Sequence, residues 1–100
     1  MLTKSLHIKL TAGQAATFKV VVEQLITIPA SSELALEAMV LAEWYRRNAG
    51  RFVLIPETLR LTFTPSQAYA LNRLMKTQPL HCEAATNVAR ALIGVIDPKL

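Results

Sequence analysis

Ten residues of this chain occur twice in kind. Residues 6–15 read LHIKLTAGQA and residues 59–68 read LRLTFTPSQA. Laid together, Leu6 falls on Leu59, His7 on Arg60, Ile8 on Leu61, Lys9 on Thr62 and Leu10 on Phe63, and then Thr11 on Thr64, Gln14 on Gln67 and Ala15 on Ala68. Few residues are identical, but the chemistry recurs position by position. Each copy alternates apolar and polar side chains, the period of a strand with one buried face. Each then meets a Thr followed three residues later by a Gln, the spacing of a capping box. The Thr hydroxyl takes a free backbone N–H of the first turn, and the Gln reaches back to the Thr N–H. Pro65 stands just inside the second start, where its missing N–H costs nothing. The same strand-to-helix junction therefore occurs twice, and the chain reads as a tandem repeat.

The intervening segments complete each unit. A strand over residues 5–10 puts Leu6, Ile8 and Leu10 on one face and Ser5, His7 and Lys9 on the other. Phe18, Val21, Val22 and Leu25 give a helix over 12–26 an apolar stripe, and Pro29 forbids its continuation. Ser31 or Ser32 is placed to cap a second helix reaching residue 48, where Asn48-Ala49-Gly50 stops it. The second unit follows as a strand over 58–63 and helices over 65–77 and 82–96. Between the units, Phe52, Val53, Leu54 and Ile55 predict a buried linker, for which a short extra strand ended by Pro56 is one form the sequence leaves open. If the strands paired with that linker rather than with each other, a three-stranded mixed sheet would result.

The expectation is one compact domain over residues 1–100, built from repeats 4–48 and 57–97 joined by an apolar linker, 49–56. Its class is α+β and mostly helical. With 52% hydrophobic and 18% charged residues, so short a chain has little interior for its apolar side chains, so the halves must pack intimately or an oligomer must cover them. The net charge of +4 permits a polyanionic partner without requiring one. A single cysteine, Cys82, excludes an internal disulfide and fits a reducing, cytoplasmic setting. Lys19, Glu23, Glu37 and Glu43 interrupt the longest apolar stretches, so no membrane span is expected, and no signal peptide is legible.

A strand of alternating polarity, a capped helix, a break and a second helix, repeated, resembles the ribbon-helix-helix family of Arc- and MetJ-type repressors, with fused TraY-type accessory proteins as the nearest analogy. The resemblance covers nearly the whole chain at the level of pattern. PASSELALEA, residues 29–38, is similar to the family's Ser-rich entry into the second helix, whereas QPLHCEAATN in the second copy has no Ser or Thr at that point. The apolar linker is also not a family feature. The resemblance implies a pseudo-two-fold pair whose strands form a two-stranded antiparallel ribbon that enters the major groove of double-stranded DNA. Outward residues would read base edges: Ser5, His7 and Lys9 from one strand, and Thr58, Arg60 and Thr62 from the other. The starts of the second helices, at Ser31-Ser32 and at His81-Cys82, would hold phosphates. Such a chain would be a regulator or a plasmid or phage accessory factor.

Plainer readings stand beside these. Any half-buried strand shows polar residues to water, and Arg46, Arg47 and Arg51 suit the negative end of a helix dipole. His81-Cys82-Glu83 has metal-ligand residue types, but three adjacent residues cannot face one ion. With two histidines, no evident base-orienter pair and no glycine-rich phosphate loop, neither an enzyme nor a cofactor is expected. The apolar excess supports a different class, a protein-interaction module of the same fold that meets a protein partner or a second copy instead of DNA.

Overall fold

The computed structural model describes residues 3–29 and 31–100. Its elements run β1 (Leu6–Thr11), α1 (Ala12–Leu25), α2 (Ala35–Asn48), a 3-10 turn (Ala49–Phe52), β2 (Thr58–Phe63), α3 (Pro65–Thr77), α4 (Glu83–Ile96) and a closing 3-10 turn (Asp97–Lys99). The fold is α+β and mostly helical. Its sheet is the antiparallel pair β1–β2, with Leu6 opposite Phe63, His7 opposite Thr62, Ile8 opposite Leu61, Lys9 opposite Arg60, Leu10 opposite Leu59 and Thr11 opposite Thr58. No helix among the described residues is long and apolar enough to cross a membrane.

Both strand-to-helix junctions form as their spacing predicts. Thr11 Oγ1 accepts the Gln14 N–H at 3.2 Å while Gln14 Oε1 accepts the Thr11 N–H at 3.0 Å. Thr64 and Gln67 repeat the exchange at 3.3 and 2.9 Å. Each box satisfies two N–H groups that the turn from strand to helix would otherwise strand.

Alternation does the sorting on the ribbon. Leu6, Ile8, Leu10, Leu59, Leu61 and Phe63 are buried, and the residues between them are exposed. The covered face lies on helices that pack crosswise, α1 against α4 and α2 against α3, so each half closes over the other. One continuous core results. At its centre the Trp44 and Phe63 rings stack with centroids 4.4 Å apart, and Phe18 meets both edge-on at 6.1 and 6.3 Å. Buried indole needs a partner for its N–H. Trp44 Nε1 finds it in the Thr62 carbonyl at 2.9 Å, which ties α2 to β2.

Two polar clusters fasten the helices outside this core. Glu23 Oε2 accepts from Lys19 Nζ at 3.1 Å and from the Tyr45 hydroxyl at 3.3 Å, joining α1 to α2. Partial burial, with Glu23 close by, raises the Tyr45 pKa, and the hydrogen bond to Glu23 raises that of Lys19. Asp97 Oδ1 accepts from Asn72 Nδ2 at 2.9 Å and from Lys76 Nζ at 3.1 Å, pinning the end of α4 to α3. The Asn72 bond, then Lys76, holds the Asp97 carboxyl below its ordinary range.

Three expectations are corrected. Neither Ser31 nor Ser32 caps α2. The helix starts at Ala35, its N-cap is Leu34 without a side-chain bond, and Ser32 Oγ instead accepts the Leu34 N–H at 3.2 Å. The linker is not a strand, and the sheet keeps two strands: residues 49–52 continue α2 as a 3-10 turn that buries Phe52. Of the four, Phe52 is buried in the core and Ile55 packs partly against it, while Val53 and Leu54 are 77% and 89% exposed. One tight turn after α2 uses up the reach that burying all four would need. Smaller shifts put β1 at Leu6–Thr11, so Ser5 precedes it, and make Cys82 the N-cap of α4.

Leu61 is fully buried on the inner face, so Leu61→Ala is expected to cost about 2–5 kcal/mol of unfolding free energy in urea titration. Asp97 supplies a pH dependence of known sign. A carboxyl with a depressed folded pKa stabilises the fold above its unfolded value, about 3.9, and loses that contribution as pH falls through the lower folded value. The urea midpoint of Asp97→Asn is therefore expected to lie below wild type at neutral pH and to converge with it in strong acid.

Candidate nucleic-acid interface

The outer face of the ribbon carries, pair by pair, His7 with Thr62, Lys9 with Arg60 and Thr11 with Thr58. All six are exposed. Outward projection follows from the pleat, because the apolar alternates on both strands are committed to the core. The strands' antiparallel register then decides which outward residues face each other, and it divides this surface into chemically unlike parts.

At one part, His7 Nδ1 lies 3.1 Å from Thr62 Oγ1. The hydroxyl donates when Nδ1 is unprotonated and accepts when it carries hydrogen. Thr62 is held from behind as well, through its carbonyl and the Trp44 indole. Next along the ribbon, Lys9 stands directly opposite Arg60, cation against cation. Like charges placed so on a sheet repel. Among the described residues no carboxylate forms an ion pair with either, although Lys19, Arg46, Arg47 and Lys76 all have acidic partners. The three side chains of His7, Lys9 and Arg60, with Ile8 beneath, line a shallow depression of about 260 Å³. This face can therefore offer a fixed pair of positive donors beside an imidazole–hydroxyl pair whose donors and acceptors are adjustable.

The remaining expected residues are distributed less favourably. Ser5 is exposed but lies outside the ladder. Ser31 is exposed, while Ser32 is half-buried, its N–H donating to the Pro29 carbonyl at 2.9 Å and its hydroxyl engaged by Leu34. Glu33 follows, and Glu37 occupies the first turn of α2, so this end carries negative charge of its own. At α4 the His81 N–H donates to Gln24 Oε1 at 3.2 Å, Cys82 Sγ accepts from Ala85 at 3.4 Å, and Glu83 opens the helix. Nearby carboxylates oppose an incoming phosphate at either start.

Thr11 belongs to the outer face too. The repeat assigned it only to the cap, yet the alternation of His7 and Lys9 continues through it, and that was the available signal. No group of three metal-ligating side chains comes together among the described residues. Comparison with family models, with curated proteins and with solved structures finds no match to this chain.

The cation pair carries a stability signature independent of any ligand. Replacing Lys9 by Thr, a residue suited to strands, is expected to raise the melting temperature of the free protein at low ionic strength. The gain should shrink as salt screens the repulsion, which differential scanning calorimetry across a salt series reads directly.

Proposed function

We propose that this chain is a small DNA-binding regulator, or an accessory factor of plasmid or phage type, built as a fused ribbon-helix-helix pair that reads the major groove with β1 and β2. The observation that carries the reading is Lys9 opposite Arg60 on an uncovered ribbon, a repulsive pair with which no acidic side chain among the described residues forms an ion pair. DNA phosphates supply the missing negative charge and guanine O6 and N7 supply acceptors, and a two-stranded ribbon is among the elements the major groove admits.

A pseudo-two-fold arrangement is supported by three features. Ile8 and Leu61, which the sequence repeat superposes, stand opposite each other in the ladder, as a pseudo-two-fold axis through that pair requires. Each strand enters its helix through the same capping box. The first helix of each half packs on the second helix of the other.

The two halves are unlike on either side of the pair of Ile8 and Leu61. Superposition matches His7 with Arg60 and Lys9 with Thr62, so the ribbon presents one dicationic pair and one imidazole–hydroxyl pair. A non-palindromic site follows, with Arg60 and Lys9 on guanine O6 and N7 at one side and a less charged reading at the other. The phosphate role of Ser31 and Ser32 is secondary, given Glu33 and Glu37 beside them.

A second reading has an observation in its favour. Leu36, Met39, Val53 and Leu54 are exposed, which suits an interaction module that keeps the fold and meets another protein.

Fluorescence anisotropy of a labelled mixed-sequence duplex, titrated at low and moderate salt, separates the two. The first reading expects affinity that falls with salt, and a loss of about 1–3 kcal/mol for Arg60→Ala on the preferred site, with relaxed preference at one base step only. Absence of binding even at low salt would sink the DNA reading and favour the second.

A further inference from the structure

Val20, Met39 and Val95 are exposed singly, but the remaining large apolar side chains outside the core gather in two places, a protrusion before β2 and a groove beyond its end. The protrusion is the turn after α2, where Val53 and Leu54 are 77% and 89% exposed and Arg51 beside them is exposed as well. The groove lies between α2 and α3, about 450 Å³ in volume, with Leu36, Val40, Pro65 and Tyr69 among its walls. Leu36 is 72% exposed there, and Tyr69 is half out of its packing.

Charge distinguishes the two features. Glu37 also lines the groove, and its Oε2 is closed off from solvent without meeting any hydrogen-bond donor. Arg73 is near enough for Glu37 and Glu33 to help raise its pKa, after the larger effect of its bond to the Tyr69 hydroxyl. Yet no cation forms an ion pair with Glu37 among the described residues, and none of the acidic side chains does so with Arg51. A buried carboxylate oxygen without a donor is costly. The groove is therefore an apolar slot with an anionic wall, and the protrusion is an apolar tip with a cationic flank.

A chain cannot fill its own groove. Leu54 lies before the start of β2 and Pro65 beyond its end, and a six-residue strand spans about 20 Å. We infer that the protrusion of one copy seats in the α2–α3 groove of the next, with Val53 and Leu54 against Leu36, Val40 and Tyr69, and Arg51 brought to Glu37.

Because the mating surfaces differ, the contact is heterologous. Each copy retains a free groove at one end and a free tip at the other, so association continues head to tail unless it closes into a ring. Two aliphatic side chains and one ion pair make a small patch beside the ~800 Å² per partner of stable complexes, so the contact is weak and acts at high local concentration. The inference rests on these surfaces alone, whether or not the ribbon meets DNA.

Sedimentation velocity over a concentration series reaching about 1 mM tests it. Wild type is expected to show a sedimentation coefficient that rises with concentration. Leu54→Asp and Leu36→Asp each alter a largely exposed side chain, so both should keep the wild-type melting profile, and each alone should remain monomeric. The decisive sample is their equimolar mixture. Leu54→Asp retains a groove and Leu36→Asp retains a tip, so the mixture should form a heterodimer and stop there. A wild type that stays monomeric throughout overturns the inference. So does a self-association that survives either substitution. A mixture that fails to associate, although wild type does, overturns the tip-in-groove geometry in favour of a self-complementary face. None of these outcomes bears on duplex binding, which the anisotropy titration reads separately.

Discussion

His7 and Thr62 meet across 55 residues of sequence, and the rest of the molecule depends on that long-range closure of the β1–β2 ladder. A two-stranded ribbon with no short turn has little stability of its own. Its hydrogen bonds are made only if something covers its inner face, and what covers it is the crosswise pairing of helices that the ladder itself brings together. Strand pairing and helix packing are thus one cooperative event. The Trp44 indole marks the joint, because it stacks on Phe63 and donates to the strand carbonyl of Thr62 at once.

What could be read beforehand was whatever is decided locally. Alternation set the faces of β1 and β2, and the Thr-x-x-Gln spacing set the starts of α1 and α3, because each is a contest between neighbouring residues and water. Helix α3 begins at Pro65 and ends at Thr77 as its cap and apolar spacing require. The start of α2 was misplaced for a related reason. Serine competes for nearby N–H groups in turns as readily as in caps, and Ser32 spends its hydroxyl on Leu34 within a turn before the helix.

Non-local facts were out of reach. Nothing in residues 51–55 says which of five successive side chains a tight turn will deliver to the core, and Phe52 won because the 3-10 turn points it at Phe18 and Trp44. The register was equally hidden. That Lys9 faces Arg60 rather than Thr62 depends on where two distant strands slide to rest, and a shift by one residue would have turned every outward side chain inward. The candidate interface was therefore visible as a set of residues but not as a pattern of charge.

Both strands of the ribbon are carried by one chain. In a sheet assembled from two identical subunits, dilution separates the strands, and any substitution appears on both sides of the axis together. Here neither holds. The ladder is an intramolecular contact and persists however few molecules are present. Each outward position is encoded once, so a single codon change alters one side of the ribbon's outer face and leaves the other as it was. The inner face is uniformly apolar, whereas His7, Lys9, Arg60 and Thr62 are four different residues.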